Sequence, residues 1–512
     1  MESQTEQSHS SLTARATWFM VAKIAAFILN FILPLMLVRR LSPHEFGVYK
    51  QVFLVVGTAI TLLPLGFGMS AYYFLPREPE KQGAVVFNIL IFYTVIGLMM
   101  GVAFMAFPSM LAVILHSPEF FDYGALVGMI IVFWVMTPLP EMLAVAKQEP
   151  RLAFAFVVSS QFVRTALLVI AAVAFASVKA LMIAAIIQGI LQLLMLLVYL
   201  HRRFPGYWQK FDHKVLRRQL SYALPLGFAG LLYSLQSDLH NYFAAYTYDA
   251  ATFAIYAIGC FQLPLVGILS ESVCSVMIGR ISVLQKQDAR QQIIELMAQV
   301  MRKLAMVYFP LYGFLMVAGR DFIIVLFTDQ YLASWSIFAI NLTMLPVSIL
   351  VLDPVLRAYA EQRYYLLKLR LVLIGFMILA LWAATRYFGL IAIISVVVFF
   401  SVLERIWTAV KMGKVIGVRR SDNYLLKDIK KVALSAAAAA IITFVLPYFL
   451  LDIRPFLRLV VMAIIFSVSY LSAFLLSGIL TADEWEWLRR QALRLRRSSG
   501  NQSTNLSKES AW

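Results

Sequence analysis

The chain has 512 residues, 61% of them hydrophobic and only 14% charged, where a soluble domain carries roughly a quarter charged. A mean hydropathy of +0.80 leaves too little polar sequence to clothe a water-soluble shell, so a soluble enzyme or binding domain is excluded. The net charge of +17 invites a nucleic-acid partner, but the bases are distributed by membrane side rather than gathered in a patch, so none is expected.

Residues 1–12 are polar and read as a disordered cytoplasmic N-terminus. The first apolar run, 16–38, lacks a small-residue cleavage site and is expected to remain as a helix. Apolar runs then recur at 46–75, 84–107, 123–146, 152–176, 180–200, 220–246, 251–279, 302–319, 334–356, 366–385, 390–412, 432–450 and 456–480. Each can cross about 30 Å of hydrocarbon. The fold class predicted is an all-α polytopic membrane protein with about fourteen transmembrane helices. Loops such as "HRRFPGYWQKFDHKVLRRQ" and "KMGKVIGVRRSDNYLLKDIKK" are basic, whereas "HSPEFFDYG" and "YTYDAAT" contain no Lys or Arg. That asymmetry puts both termini in the cytoplasm.

Polar groups inside these runs are the candidates for function, since a mid-helix charge costs about 2.5–3.5 kcal/mol on insertion scales and normally faces a partner or a cavity. In span one, Lys23, Asn30 and Pro34 share a face. Span five carries "SSQFVRT", with Ser160, Gln161 and Arg164 spaced to meet. Arg164 is too deep to snorkel, and its alternative role is a structural pair with Asp238 or Glu271. Span seven contains "YSLQSDLHNYF", which places Ser234, Asp238 and Asn241 on one face and Gln236 and His240 on a neighbouring one. Asp238 and His240 either line a cavity or join helices. Span eight has Gln262, Glu271 and Ser275, and span twelve has Glu404 and Arg405. Lys50, Glu141 and Asp353 read as boundary or packing residues. Cys260 and Cys274 are too far apart along one helix for a disulfide. Prolines at 34, 64, 138, 140, 225, 264, 310 and 346 predict several bent helices.

An internal repeat shows in two places. "PEMLAVAKQ" (Pro140–Gln148) and "PVLRAYAEQ" (Pro354–Gln362) share P-x-x-x-A-x-A-x-Q, and "FGVY" (Phe46–Tyr49) matches "FAIY" (Phe253–Tyr256). Six spans per copy is even, which makes the copies parallel repeats about the membrane normal with a cavity between them. The expected organisation is an N-lobe over 13–201, a basic inter-lobe loop over 202–219, a C-lobe over 220–412, a basic loop over 413–431, two further spans within 432–480, and a basic cytoplasmic tail over 481–512. The aromatic and basic residues of the inter-lobe loop and of "EWEWLRRQALRLRR" suit anionic headgroups.

No G-x-x-x-x-G-K-[ST], no H-E-x-x-H and no histidine cluster occurs. No cofactor, metal site or enzymatic activity is therefore expected, and transport is the better class.

The stretch "NFILPLMLVRRLSPHEFGVYKQVFLVVGTAITLLPLGFGMSAYYFLPRE" carries Leu41, Ser42, Pro43, Glu45, Phe46, Gly47 and Tyr49, then Leu65-Gly66 and the Phe74–Glu78 loop. It resembles the opening helices of the Wzx-type polysaccharide flippases, the oligosaccharide-exporting branch of the multidrug/oligosaccharidyl-lipid/polysaccharide superfamily. The resemblance is specific over Asn30–Glu78 and looser elsewhere. It implies two six-helix lobes in a V, alternating between inward- and outward-open states in the bacterial cytoplasmic (inner) membrane. The implied cargo is a polyprenyl-diphosphate-linked oligosaccharide, with spans 13 and 14 adding a groove for the lipid tail. Polysaccharide polymerase and glycosyltransferases are implied partners. Lys23 and Arg164 become diphosphate contacts, and Asn30, Gln236 and Asn241 further cavity contacts. Asp238, His240 and Glu271 become candidates for H⁺ or Na⁺ coupling. The basic and acidic cluster of lipid II flippases is missing from span one. The alternative is a cation-coupled multidrug or metabolite exporter of the same superfamily.

Overall fold

The computed structural model describes residues 28–359, 363–449 and 453–479. Lys23, the polar N-terminus and the basic tail lie outside the described residues. Every regular element among the described residues is a helix. Ten helical stretches are long and apolar enough to cross a membrane, and Ile28–Leu37 and Ala250–Gly259 are shorter apolar helices.

In chain order the helices are α1 (Ile28–Leu37), α2 (Pro43–Leu62), α3 (Ser70–Arg77), α4 (Gln82–Ala106), α5 (Ser109–Ile114), α6 (Gly124–Trp134), α7 (Leu139–Ala146), α8 (Pro150–Phe175), α9 (Val178–Arg203) and α10 (His213–Thr247). They continue as α11 (Ala250–Gly259), α12 (Pro264–Lys286), α13 (Arg290–Phe327), α14 (Trp335–Leu342), α15 (Met344–Val347), α16 (Asp353–Ala358), α17 (Arg363–Ala383), α18 (Leu390–Ile416), α19 (Lys427–Phe444), α20 (Leu446–Phe449) and α21 (Pro455–Leu476).

Five runs expected as single spans are interrupted, the run over 432–450 by one turn residue between α19 and α20. After α2, Pro64 is followed by Leu65 and Gly66, both left-handed at φ 48° and 68°. A turn over 135–138 precedes α7, irregular residues precede Pro264, and the tenth run divides into α14, α15 and α16. Proline removes a ladder hydrogen bond and clashes with the preceding turn, which is why the breaks fall where they do. One consequence is that Cys260 and Cys274 sit on opposite sides of a break, and neither is in a disulfide. The basic inter-lobe loop also departs from a surface helix: Tyr207–Gln209 form one 3₁₀ turn, and His213 already opens the 35-residue α10. That start is set by Asp212, whose carboxylate accepts from the backbone N–H of Lys214 (2.8 Å) and Val215 (3.1 Å). The same hydrogen bonds hold its carboxyl below the usual aspartate range.

The motif around Ser42 has a local physical role. Ser42 and Glu45 form a capping box: the Ser42 hydroxyl accepts from the Glu45 N–H (3.2 Å) and Glu45 Oε2 accepts from the Ser42 N–H (3.0 Å), with Pro43 at the first helical position. The matching segment opens α11, with Asp249 as its N-cap. The two helix starts touch backbone to backbone. A Cβ on Gly47 would stand 1.7 Å from the Ala250 carbonyl oxygen, so only glycine permits this approach.

Two compact units divide the chain. The first holds the described residues up to Gln285 with Ile323–Met344 and Leu352–Met412. It takes in helices from both predicted lobes, because α10 and α11 pack on α2. Its interior is apolar and aromatic, with Phe46, Phe67, Tyr93, Phe120, Phe253 and Tyr256 fully buried. Near one end, Arg39 donates to the carbonyls of Val325 (2.7 Å) and Leu326 (2.8 Å), satisfying acceptors left open where α13 stops.

The second unit comprises Lys286–Phe322, Leu345–Val351 and the described residues from Gly413 on. Here α13, α19 and α21 pack through Val432, Ala436, Met462 and Phe466. Gly313 lies against the Ala436 carbonyl, and the Tyr470 hydroxyl donates to Met306 O at 3.1 Å. Arg458 grips Asp321 in a two-pronged ion pair whose carboxylate is only 7% exposed. Arg458→Ala leaves that carboxylate buried and unpaired, and a loss of roughly 3–5 kcal/mol is expected. Thermal unfolding in detergent should show the loss, and Asp321→Leu combined with Arg458→Leu should recover most of it.

Candidate functional site

The polar stretch of α10 is organised by how the helix is exposed. Successive residues turn about 100°, which sets Phe228 and Leu235 on one side and Gly230, Tyr233 and Ser237 on the opposite side. Both stripes are exposed, Phe228 and Tyr233 each at 57%. The flanks between the stripes are packed. On one flank, a Cβ on Gly227 would meet the Leu65 carbonyl at 1.9 Å, and Gln51 Nε2 donates to Ala245 O at 3.2 Å. On the other flank, Gln236 Nε2 donates to Glu404 Oε2 at 2.7 Å, and His240 Nδ1 lies 2.7 Å from the Tyr256 hydroxyl. The apolar stripe suits lipid. The Gly230–Tyr233–Ser237 stripe opens between the α2 flank and the α17–α18 flank, which is the pattern of a helix lining an interior space.

The α2 helix shows the other wall. It is buried on most sides, and Lys50, Leu54, Gly57 and Thr61 form its accessible stripe. A Cβ on Gly57 or on Gly230 would meet nothing within 4 Å, so both glycines border open space. Lys50 Nζ lies 5.5 Å over the Phe46 ring. Arg164 on α8 points away from the lipid side marked by Phe162 and Ile170. Its guanidinium carbon is 4.6 Å over Trp134, whose indole N–H is tied to Ala185 O at 2.8 Å. Arg164 and Lys50 are close enough to repel one another. Neither has a carboxylate partner among the described residues, and the buried Arg164 Nε makes no hydrogen bond there. Two neighbouring cations, each over its own aromatic ring and with no carboxylate partner among the described residues, make a cationic wall suited to an anion.

Further polar groups back this wall. Ser160 is engaged by Gln192 of α9 rather than by Arg164. Gln188 Oε1, Gln192 Oε1 and Thr165 Oγ1 are buried without hydrogen-bond partners among the described residues.

The site residues singled out in the sequence divide in their surroundings. Arg164 stands at the cationic wall, without the ion pair to Asp238 or Glu271 that was its alternative. Gln236 is anchored to Glu404, and His240 is buried against Tyr256. Asp238 and Asn241 are half-buried on the flank facing α2, and no hydrogen bond or ion pair reaches them among the described residues. Asn30 is exposed on α1, and Glu271 is exposed on α12, where its carbonyl accepts from Ser275 Oγ at 2.8 Å. Lys50, read as a boundary residue, instead sits on the accessible stripe of α2. Arg370 of α17 was passed over. Its Nε donates to Glu404 Oε1 at 2.9 Å, and its guanidinium lies 4.9 Å over Tyr233. The available signal was a single base inside an apolar run for Lys50, and for Arg370 a base just inside the basic start of its span.

A family model described as "Polysaccharide biosynthesis protein" matches residues 36–336. The chain belongs to that family. No curated protein matches it. Among solved structures it is similar to a lipid II flippase MurJ in an inward closed conformation, at 12% identity and TM-score 0.68, covering 89% of this chain and 97% of that one. It is also similar to an inward-facing multidrug resistance MATE family transporter, at 12% identity and TM-score 0.61, covering 78% of this chain and 98% of that one. A third is a MOP superfamily transporter from Pyrococcus furiosus, described as having a binding pocket of reversed polarity, at 14% identity and TM-score 0.54 over 79% and 95% of the two chains. The fold of this polysaccharide biosynthesis family member is thus the MOP superfamily transporter fold, in a multi-pass membrane protein.

The Arg370–Glu404 pair gives a test of the geometry. Its side chains are 20% and 15% exposed. Arg370→Ala strands the Glu404 carboxylate, and unfolding in detergent should show a loss of roughly 3–5 kcal/mol. Arg370→Lys should retain part of the pairing and lose less.

Proposed function

We propose that the chain is a flippase that carries a polyprenyl-diphosphate-linked oligosaccharide from the cytoplasmic to the outer leaflet of a bacterial inner membrane by alternating access. The observation that carries this reading is the pair of cations, Lys50 and Arg164, with no carboxylate partner among the described residues, inside membrane-spanning helices. An isolated positive charge in such a place is costly. A diphosphate supplies about two negative charges and several acceptor oxygens, which a guanidinium and an ammonium bind well. The family supports a polysaccharide precursor as cargo, and Lys23 of span one remains a further candidate contact.

Energetics favour the same cargo. Moving each negative charge outward across an inside-negative potential yields about 2.3 kcal/mol per 100 mV, or roughly 4.6 kcal/mol for two. The same field draws the emptied cationic wall back toward the cytoplasm, so a coupling ion would act by displacing the anion at the outer face. Asp238 is the best placed of the three coupling candidates, because its carboxylate is half-buried and without a partner among the described residues. His240 is committed to Tyr256.

The interruptions in spans four and ten fall at corresponding places in the two proposed lobes, the arrangement that points to a substrate path in repeat-built transporters. The matched N-caps Ser42 and Asp249 support the same duplication. Polymerase and glycosyltransferase partners follow from the family.

The unpartnered Asp238 also favours a second reading, a cation-coupled exporter of drugs or metabolites. The two separate by mutation. Arg164→Ala and Lys50→Ala should each lower glycan export roughly tenfold or more, as loss of a charged hydrogen bond implies. Lipid-linked glycan should accumulate on the cytoplasmic face at normal expression, with partial rescue by Arg164→Lys. Normal export by the Arg164→Ala, Lys50→Ala double variant, with a required Asp238, would overturn the anion reading and favour the second.

A further inference from the structure

The cationic wall accounts for one part of a lipid-linked oligosaccharide, its diphosphate. A second cluster lies on the other flank of α10, where Tyr233, Gln236, Arg370 and Glu404 come together from three helices. Glu404 uses both oxygens, one for Arg370 Nε (2.9 Å) and one for Gln236 Nε2 (2.7 Å). The pair is thereby fixed in orientation, and its free valences point elsewhere. The terminal nitrogens of Arg370 make no hydrogen bond among the described residues. Gln236 Oε1 is buried and without a partner. The Tyr233 ring is 57% exposed on the interior stripe of α10, with the Arg370 guanidinium 4.9 Å from its centroid.

A purely structural ion pair accounts for little of this. A buried pair is weak evidence of stability, since apolar residues of similar volume usually serve as well. Buried polar groups kept for structure are normally satisfied, whereas here donors, an acceptor and an exposed ring remain open side by side. Those three features match one class of ligand. A pyranose ring has an apolar C–H face for an aromatic ring and an edge of hydroxyls, each both donor and acceptor. Arg370 supplies donors, Gln236 Oε1 an acceptor and Tyr233 the stacking surface.

We propose that Tyr233, Gln236, Arg370 and Glu404 form a subsite that receives a sugar ring of the lipid-linked substrate. Tyr233, Gln236 and Arg370 touch the ring, and Glu404 positions the other two polar groups. This rests on the reading that the cargo is a lipid-linked oligosaccharide. It adds that the two flanks of α10 divide the work: the diphosphate is held at α2 and α8, and the glycan at α10, α17 and α18.

The test compares two probes on the purified full-length protein by native mass spectrometry in detergent. One probe is undecaprenyl diphosphate, which has no sugar. The other is the lipid-linked oligosaccharide extracted from cells in which the protein occurs naturally. Tyr233→Ala should weaken the oligosaccharide probe roughly threefold to tenfold, the range expected for loss of an aromatic contact, and leave undecaprenyl diphosphate unchanged. Tyr233→Phe should keep most of the affinity, since the ring does the stacking. Tyr233 is exposed, so folding should survive, and unchanged thermal unfolding of both variants checks this. Equal weakening of both probes, or of neither, with wild type binding both, would overturn the sugar subsite alone. Failure of wild type to bind either probe would overturn the flippase reading beneath it.

Discussion

A charge inside hydrocarbon must be answered by an opposite charge, a hydrogen-bonding group or water, and this requirement organises the whole molecule. At two places the chain supplies the answer itself: Arg458 with Asp321, and Arg39 at the open carbonyls of α13. Around Lys50 and Arg164 the described residues supply aromatic rings and no carboxylate partner. The difference separates braces from a binding surface. A brace is complete without a ligand, whereas two mutually repelling cations over Phe46 and Trp134 are improved by any anion that reaches them.

The α10 helix turns this local chemistry into a possible cycle. It is exposed on two opposite stripes and packed on the two flanks between them, so it touches α2 on one side and α11, α17 and α18 on the other. Its approach to the break after α2 is a backbone contact made through Gly66 and Gly227. Nearer its start, Gln219 donates to Ser70 Oγ (3.1 Å) and accepts from Asn88 (3.1 Å), and Arg218 pairs with Glu78. These polar and glycine contacts lie beside apolar ones, with Tyr222 against Tyr73 and Phe74 and Ala244 and Ala245 buried with Val48 and Val52. The polar residues inside an apolar helix, which mark Tyr233 to Phe243 in the sequence, are therefore distributed by flank: one set against α2, one set against the C-terminal helices, and Tyr233 and Ser237 toward the space between.

Much of this was legible from residue order alone. The helical membrane class follows from composition. Some of the breaks follow from proline positions, as at Pro64, Pro138 and Pro264, whereas Pro225 and Pro310 lie inside the unbroken α10 and α13. Arg164 was identified because it stands deep in a long apolar run, where snorkelling fails. Lys50 lies only a few residues from the start of α2, where a base normally reaches the membrane surface, so residue order alone gives a boundary or packing residue; its place on the accessible stripe shows only in the fold. Arg370 is close to the basic start of its span, and its partner Glu404 lies on the next helix with no sequence periodicity linking them. In both cases which way the side chain faces is decided by tertiary packing.

The central claim is that the cationic interior exists to move an anionic glycolipid. The most direct measurement is translocation of an undecaprenyl-diphosphate-linked oligosaccharide in proteoliposomes carrying the purified protein, with a valinomycin-set potassium potential of either sign. Protein-dependent translocation is expected, faster when the potential drives negative charge toward the outer-leaflet equivalent and slower when it is reversed, with the two charges setting the steepness. No translocation above protein-free vesicles, in the same preparation that moves a cationic drug against an ion gradient, would contradict the account.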